Sequence, residues 1–111
     1  MRRFSALIFT LAAFFVSSAI EAKGNAAKGK EKAAQVCAAC HGADGAKPVA
    51  PENPILAGQY PDYLVKALSD YKTGKRANPI MIVFADPLSK QDIEDLAAWF
   101  ASQKSPLHFQ R

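Results

Sequence analysis

The sequence predicts an all-α protein with about three main helices joined by long loops. Two segments carry apolar residues at helical spacing, and all three predicted helices start or stop at residue types typical of helix ends. The segments between them are rich in proline and glycine, and no run of residues predicts a strand. A chain of 111 residues is expected to form one domain, which excludes an enzyme with separate lobes for cofactor and substrate.

Residues 1–22 have the three parts of a secretory signal. Two arginines follow the initiator methionine, residues 4–16 are apolar apart from one serine and one threonine, and small residues come next. This apolar run of 13 residues is shorter than the roughly 20 that a membrane-spanning helix needs, so we favour cleavage over an uncleaved anchor. We expect a signal peptide at 1–22, cleaved after Ala22 or after Ala19, and a soluble periplasmic domain at 23–111.

The first helix is predicted from residue 26 to Val36. Asn25 can accept a hydrogen bond from a first-turn amide and so cap this helix. Gly29 lowers helix stability relative to alanine, which indicates that another element approaches closely there, with simple tolerance of the glycine as the alternative.

The middle helix is predicted to start at Pro61, which suits a first helical position, and to end at Gly74. Loops are predicted on both sides of it, at 42–58 and at 75–88. In the second loop, Pro79 and Pro87 disfavour a regular helix. The apolar residues of the middle helix recur at helical spacing: Leu64, Ala67, Leu68 and Tyr71.

The last helix is predicted to follow a capping box formed by Ser89 and Asp92. It should end near Ser102 to Lys104, before Pro106. Its apolar residues follow helical spacing: Ile93, Leu96, Ala97 and Phe100.

The first helix runs into the motif Cys37-Ala-Ala-Cys40-His41. On a helix these three side chains fall within about 100° of one another, so two thiols and one imidazole share a face. Each thiol can add to one vinyl group of a porphyrin while the imidazole ligates the iron, and this is the c-type haem attachment motif. We therefore predict one covalent haem c, held by Cys37 and Cys40, with His41 as an axial ligand.

Three other interpretations of the cysteines compete. A disulfide would close a very short loop and constrain the unfolded chain little. A thioredoxin-like pair normally follows a strand, whereas a helix precedes this motif. A structural zinc needs four ligands, and His108 is the only further histidine in the sequence.

Met81 is a candidate for the second axial ligand, because its thioether is a soft donor that can complete the iron opposite His41. Apart from the initiator it is the only methionine in the sequence. A loop methionine can equally fill a core. His108 is the rival ligand, but it follows Pro106 in a predicted tail.

Cleavage after Ala22 leaves 12 basic and 9 acidic side chains. No block of lysine and arginine alternates with aromatic residues, so we expect no nucleic-acid partner.

These features resemble those of the small soluble bacterial class I cytochromes c and of either half of their dihaem relatives. The resemblance covers essentially all of the mature chain. It rests on Cys-Ala-Ala-Cys-His-Gly at 37–42, Pro-Ile-Leu-Ala-Gly-Gln at 54–59, Tyr63-Leu64, Leu68, Asn78-Pro-Ile-Met81, and the segment from Leu88 to Gln103. It implies the class I cytochrome c fold, in which helices and long loops wrap one covalently bound haem.

The resemblance also implies roles for individual residues. It makes His41 the proximal ligand and Met81 the distal one, and it places Pro54 and Leu56 at the haem. The Pro54 carbonyl should accept a hydrogen bond from the second ring nitrogen of His41. Gly29 should pack on the last helix at Leu96 and Trp99, although Ala33 stands where the family often has an aromatic residue.

An iron with both axial positions filled by protein has no open site for a substrate, so the resemblance implies a monohaem electron carrier and not an enzyme. Its partners would be redox proteins that donate and accept electrons, including membrane-bound complexes, and the protein itself is expected to be a monomer. The alternative within this class is a haem subunit docked permanently to a dehydrogenase or oxidase. An enzyme or gas-binding protein with a displaceable Met81 is the alternative from another class.

Overall fold

The computed structural model describes residues 24–107, and within this range it is all-helical. The signal peptide expected at 1–22 and the rival ligand His108 lie outside the described residues. Five helices follow one another along the chain: α1 (Ala26–Val36), α2 (Ala38–His41), α3 (Pro61–Lys72), α4 (Pro79–Ala85) and α5 (Lys90–Ser102). None of the described helices has the length and apolarity that a membrane crossing requires.

Helix α1 crosses α5 at very close range. The Asn25 side chain accepts from the Lys28 amide at 3.0 Å, as predicted for the cap. A Cβ atom on Gly29 would lie 1.9 Å from the Asp95 carbonyl oxygen and 2.9 Å from the Cβ of Trp99. The predicted close approach at Gly29 is therefore confirmed, because only a residue without a side chain allows the two backbones to meet there.

Both predicted ends of α3 and the predicted start of α5 are confirmed. Pro61 occupies the start of α3, and Gly74 follows its end with a φ of 76°. At the start of α5, Ser89 Oγ accepts from the Asp92 amide at 3.0 Å, and an Asp92 carboxylate oxygen accepts from the Ser89 amide at 2.9 Å. This reciprocal capping box fixes the direction in which α5 leaves the preceding loop.

The prediction of a continuous loop at 75–88 is wrong, because Pro79–Ala85 forms helix α4. Pro79 stands at the start of this helix, where its missing N–H costs nothing. The Asn78 side chain accepts from the amides of Ile80 and Met81, each at 3.1 Å, and so supplies the cap. Met81 therefore belongs to the first turn of a short helix.

A small core lies where α5 meets α1 and α3. The loop at 42–58 is ordered against it: the Gly58 amide donates to the Phe100 carbonyl at 2.9 Å, and the Leu56 amide donates to the Gly45 carbonyl at 2.8 Å. The buried members of the core are Ala33, Leu64, Leu88, Ile93, Leu96, Ala97 and Phe100.

Candidate haem-binding site

A cavity of about 350 Å³ opens beside this core, within the size range of small-molecule and cofactor sites. Every helix of the described chain contributes to its wall, together with the loop at 52–59. Apolar and aromatic residues make up most of the lining: Val36, Pro54, Ile55, Leu56, Leu64, Ala67, Leu68, Tyr71, Ile80, Phe84, Leu88, Leu96, Ala97 and Phe100.

All the site residues predicted from the sequence line this single cavity. The attachment motif contributes both cysteines and the histidine, the loop contributes Pro54 and Leu56, and α4 contributes Met81. The sequence places His41 and Met81 about 40 positions apart, and the fold brings both to one cavity, where α4 packs against α3.

His41 is held by its backbone and by its ring. Its amide donates to the Cys37 carbonyl at 3.0 Å within the turn that forms α2, and only 6% of the residue is exposed. Its ring Nδ1 lies 2.9 Å from the Pro54 carbonyl oxygen. Because a carbonyl can only accept, Nδ1 carries the proton, and Nε2 keeps a lone pair that can ligate a metal.

The two cysteines are free thiols, and both are partly exposed. Burial raises the pKa of the Cys37 thiol to about 11, and the neighbouring Cys40 adds to this shift. Redox-active thiol pairs have a lowered pKa instead, so this environment argues against the thioredoxin-like interpretation. Within residues 24–107, no three His, Cys, Asp or Glu side chains are grouped so that they could hold a metal ion by themselves.

Several residues of the wall were not predicted as site residues. Asn78 lines the cavity while it caps α4, and Asn53 donates to the Cys40 carbonyl at 3.1 Å. Arg76 and Tyr63 also belong to the wall. The residues of the motif Asn78-Pro-Ile-Met81 could have indicated the cap, since asparagine before proline is a common helix start.

The residues present fit a haem c. Two thiols and one imidazole come from adjacent turns of the chain, a thioether lies in the same wall, and the rest of the lining is apolar, as a porphyrin ring requires. The two thiols can attach the porphyrin covalently, and the imidazole and the thioether can each supply one ligand to the iron.

Comparison with known proteins shows the family to which this chain belongs. The model of the Cytochrome c family matches residues 26–104. Cytochrome c4 of Pseudomonas aeruginosa is 49% identical over 98 residues, which cover 88% of this chain and 48% of that protein. Cytochrome c-554(548) of Halomonas halodenitrificans is 40% identical over 84 residues, which cover 73% of this chain and 99% of that protein.

The fold agrees as well. The crystal structure of reduced recombinant cytochrome c4 from Pseudomonas stutzeri superposes with a TM-score of 0.69 at 45% identity, over 76% of this chain and 48% of that one. The chain thus spans about half the length of the cytochromes c4 that it matches. With the family model, the relatives and the superposition in agreement, the chain belongs to the cytochrome c family and has the class I cytochrome c fold, which implies haem c as its cofactor.

Proposed function

We propose that the chain is a periplasmic monohaem electron carrier whose iron lies between His41 and Met81. The observation that carries this proposal is the single cavity that both thiols, the His41 ring and the Met81 side chain share. When bound, haem c would supply a one-electron couple between ferrous and ferric iron.

Each donor has a distinct task. Cys37 and Cys40 would form the two thioether bonds, which would fix the cofactor to α2 and its N-cap. His41 would ligate the iron through Nε2, because Nδ1 is engaged by the Pro54 carbonyl. That hydrogen bond holds the ring at one angle and makes the imidazole a better electron donor.

Met81 would supply the second protein ligand of the iron, in addition to His41. The Asn78 side chain accepts from the Met81 amide, so the first turn of α4 presents this residue from a capped end. A thioether favours ferrous iron and raises the reduction potential relative to other common ligands. The apolar wall acts in the same direction, because it disfavours the additional charge of ferric iron.

This ligand set favours a carrier over a catalyst. With both axial positions supplied by the chain, a substrate would have to displace a protein ligand before it reached the iron. Carbon monoxide binding to the reduced protein at neutral pH tests this, because strong binding would favour a gas-binding protein or an enzyme with a displaceable Met81.

The second candidate is a haem subunit held permanently in a dehydrogenase or oxidase complex, which the same residues would serve equally well. Cytochrome c-554(548) of Halomonas halodenitrificans is matched over 99% of its length, so a chain of about one such domain occurs in this family without a second haem domain fused to it. Size exclusion of the native protein separates the two: elution as a free monomer supports the carrier, and co-elution with larger subunits supports the complex.

Export completes the proposal, since haem c attachment and redox partners would be met in the periplasm. We expect cleavage after Ala22 or Ala19. N-terminal sequencing of the mature protein should therefore begin at Lys23 or Ile20, and an intact initiator methionine in the membrane fraction would favour an anchor.

Acid-acetone extraction tests the covalent attachment. The wild-type protein should keep one haem per chain through extraction, and Cys37→Ala or Cys40→Ala should leave a single thioether. A double variant that retained its haem through extraction would contradict the proposal.

A further inference from the structure

Helix α4, which carries Met81, is too short to be stable by itself. Its seven residues make fewer than two turns, and an isolated helix of this length is marginal in water. Ala85 is its one buried residue, whereas Ile80 is 65% exposed and Val83 is 68% exposed. Among the helices of the described chain, α4 packs chiefly on α3. The position of α4 therefore depends strongly on the contacts at its two ends.

The start of α4 is held by a local contact. The Asn78 side chain accepts from the amides of Ile80 and Met81, which fixes the geometry of the first turn. Asn78 directly precedes the helix, so this cap does not join α4 to another element of the fold.

The end of α4 is joined to α3 by a lysine. Lys72 is the last residue of α3, and its Nζ donates to the carbonyl of Asp86, the residue that follows α4. The carbonyls at the end of a helix have no partner within it, and a lysine ammonium is a suitable donor to them. Within residues 24–107 the Asp86 carboxylate forms no ion pair with Lys72, so the contact is made to the backbone.

This contact closes a loop that contains the proposed iron ligand. Lys72 and Asp86 are 14 positions apart, and Met81 lies between them. Shortly after the contact, Leu88 is buried in the core, so the chain is fixed again there. Loss of the Lys72 hydrogen bond would therefore favour local movement of α4 without unfolding of the core.

We propose that Lys72 is a positioning residue for the second iron ligand: it holds the end of α4 on α3 and so limits the replacement of Met81 by small ligands from solution. The inference rests on the proposed function, because it requires Met81 at the iron. When α4 moves away, the iron position that Met81 occupied becomes free. A ligand from solution binds only this open form, so its apparent affinity rises in proportion to the open fraction while that fraction is small.

The test is an imidazole titration of the full ferric holoprotein at neutral pH. The far-red absorption band of thioether-ligated ferric haem disappears as imidazole replaces Met81, so it measures the exchange directly. Imidazole ligates a metal as a neutral molecule, so the loss of a positive charge from the protein does not by itself attract or repel it. In Lys72→Gln the affinity for imidazole should rise by about two- to fivefold, the range expected when one exposed charged contact is lost.

Lys66→Gln is the matched control. Lys66 is also exposed and lies on α3, but its ammonium pairs with Asp70 of the same helix. This variant removes the same charge and should bind imidazole with wild-type affinity. Lys72→Arg keeps a cationic donor at the end of α3 and should bind imidazole less tightly than Lys72→Gln does.

Lys72 is exposed, so its replacement leaves the buried core intact. Equal imidazole affinities in Lys72→Gln and Lys66→Gln would overturn the inference and leave the proposed function intact. An equal rise in Lys72→Arg and Lys72→Gln would also overturn it, because the donated hydrogen bond would then have no part in the effect. A wild-type protein with covalent haem but without the far-red band would overturn both proposals.

Discussion

At the scale of single residues, the site depends on hydrogen bonds that hold the two proposed iron ligands in place. The Pro54 carbonyl accepts a hydrogen bond from His41 Nδ1 and so selects the tautomer of the ring. The Asn78 side chain accepts a hydrogen bond from the Met81 amide. Gly29 has a comparable role in packing, since the backbone of α5 occupies the space that a side chain would need.

Gly29→Ala should destabilise the holoprotein by about 1–3 kcal/mol, because the added Cβ would meet the Asp95 carbonyl at 1.9 Å. Helix propensity alone predicts the opposite sign, a gain of up to about 1 kcal/mol. Ala27→Gly, at an exposed position of the same helix, is the control and should cost about 1 kcal/mol through propensity. Denaturant unfolding gives the free energy of unfolding of the wild-type protein and of both variants. A Gly29→Ala variant more stable than the wild-type protein would refute the close crossing of α1 and α5.

At the scale of secondary-structure elements, the sequence predicted helices α1, α3 and α5 well. Asn25, Pro61 and the Ser89–Asp92 box mark helix ends by local chemistry, which a sequence displays directly. Helix α4 is not evident from the sequence, because proline disfavours the interior of a helix, whereas Pro79 follows the Asn78 cap and stands at a helix start. The wall residues Arg76 and Tyr63 were missed because their meeting depends on how the chain returns to α3.

Asn78→Ala should loosen the first turn of α4, where an N-cap asparagine contributes about 1 kcal/mol. Because that turn carries Met81, the far-red band should disappear at a lower temperature than in the wild-type protein. Asn25→Ala removes the corresponding cap from α1, which carries no proposed iron ligand. Asn25→Ala should lower the unfolding temperature, but the far-red band should persist until the protein unfolds. Identical behaviour of both variants would show that the Asn78 cap of α4 does not hold Met81 at the iron.

The capping box at α5 predicts a pH dependence. The Ser89 amide, and more weakly the Ser89 hydroxyl and Lys32, lower the pKa of Asp92 below its ordinary value. A lowered pKa in the folded state means that ionised Asp92 stabilises the fold above the unfolded pKa of about 3.9, and that this contribution is lost as pH falls towards the folded value.

Asp92→Asn should therefore reduce stability at pH 7, and the reduction should be smaller near pH 3. The measurement is denaturant unfolding of both proteins at the two pH values. A difference in stability that stayed constant between them would show that the carboxylate charge of Asp92 has no role in the cap.

At the scale of the whole molecule, the cavity and the core share a wall. Leu64, Leu96 and Phe100 belong to both, so the cofactor would complete the packing of the domain. A domain of this size buries a limited core by itself, and an unfilled apolar cavity removes packing contacts from it.

The double variant Cys37→Ala, Cys40→Ala, purified without haem, should unfold with reduced cooperativity and weak near-ultraviolet circular dichroism. Addition of haem to this variant should restore part of its stability, because a ligand that binds the folded state shifts the equilibrium towards it. A cofactor-free protein as stable as the holoprotein would show that the fold does not depend on the haem.

The pair of iron ligands is the central claim, and substitution of Met81 tests it most directly. The far-red absorption band and the reduction potential should be measured for the wild-type protein, Met81→Ala and Met81→His. Met81→Ala should lose the band, bind carbon monoxide when reduced and lower the potential by on the order of 0.1 V. Met81→His should also lower the potential while keeping the iron six-coordinate. An unchanged band and potential in Met81→Ala would place the sixth ligand elsewhere, with His108 the first residue to examine, and would contradict the account.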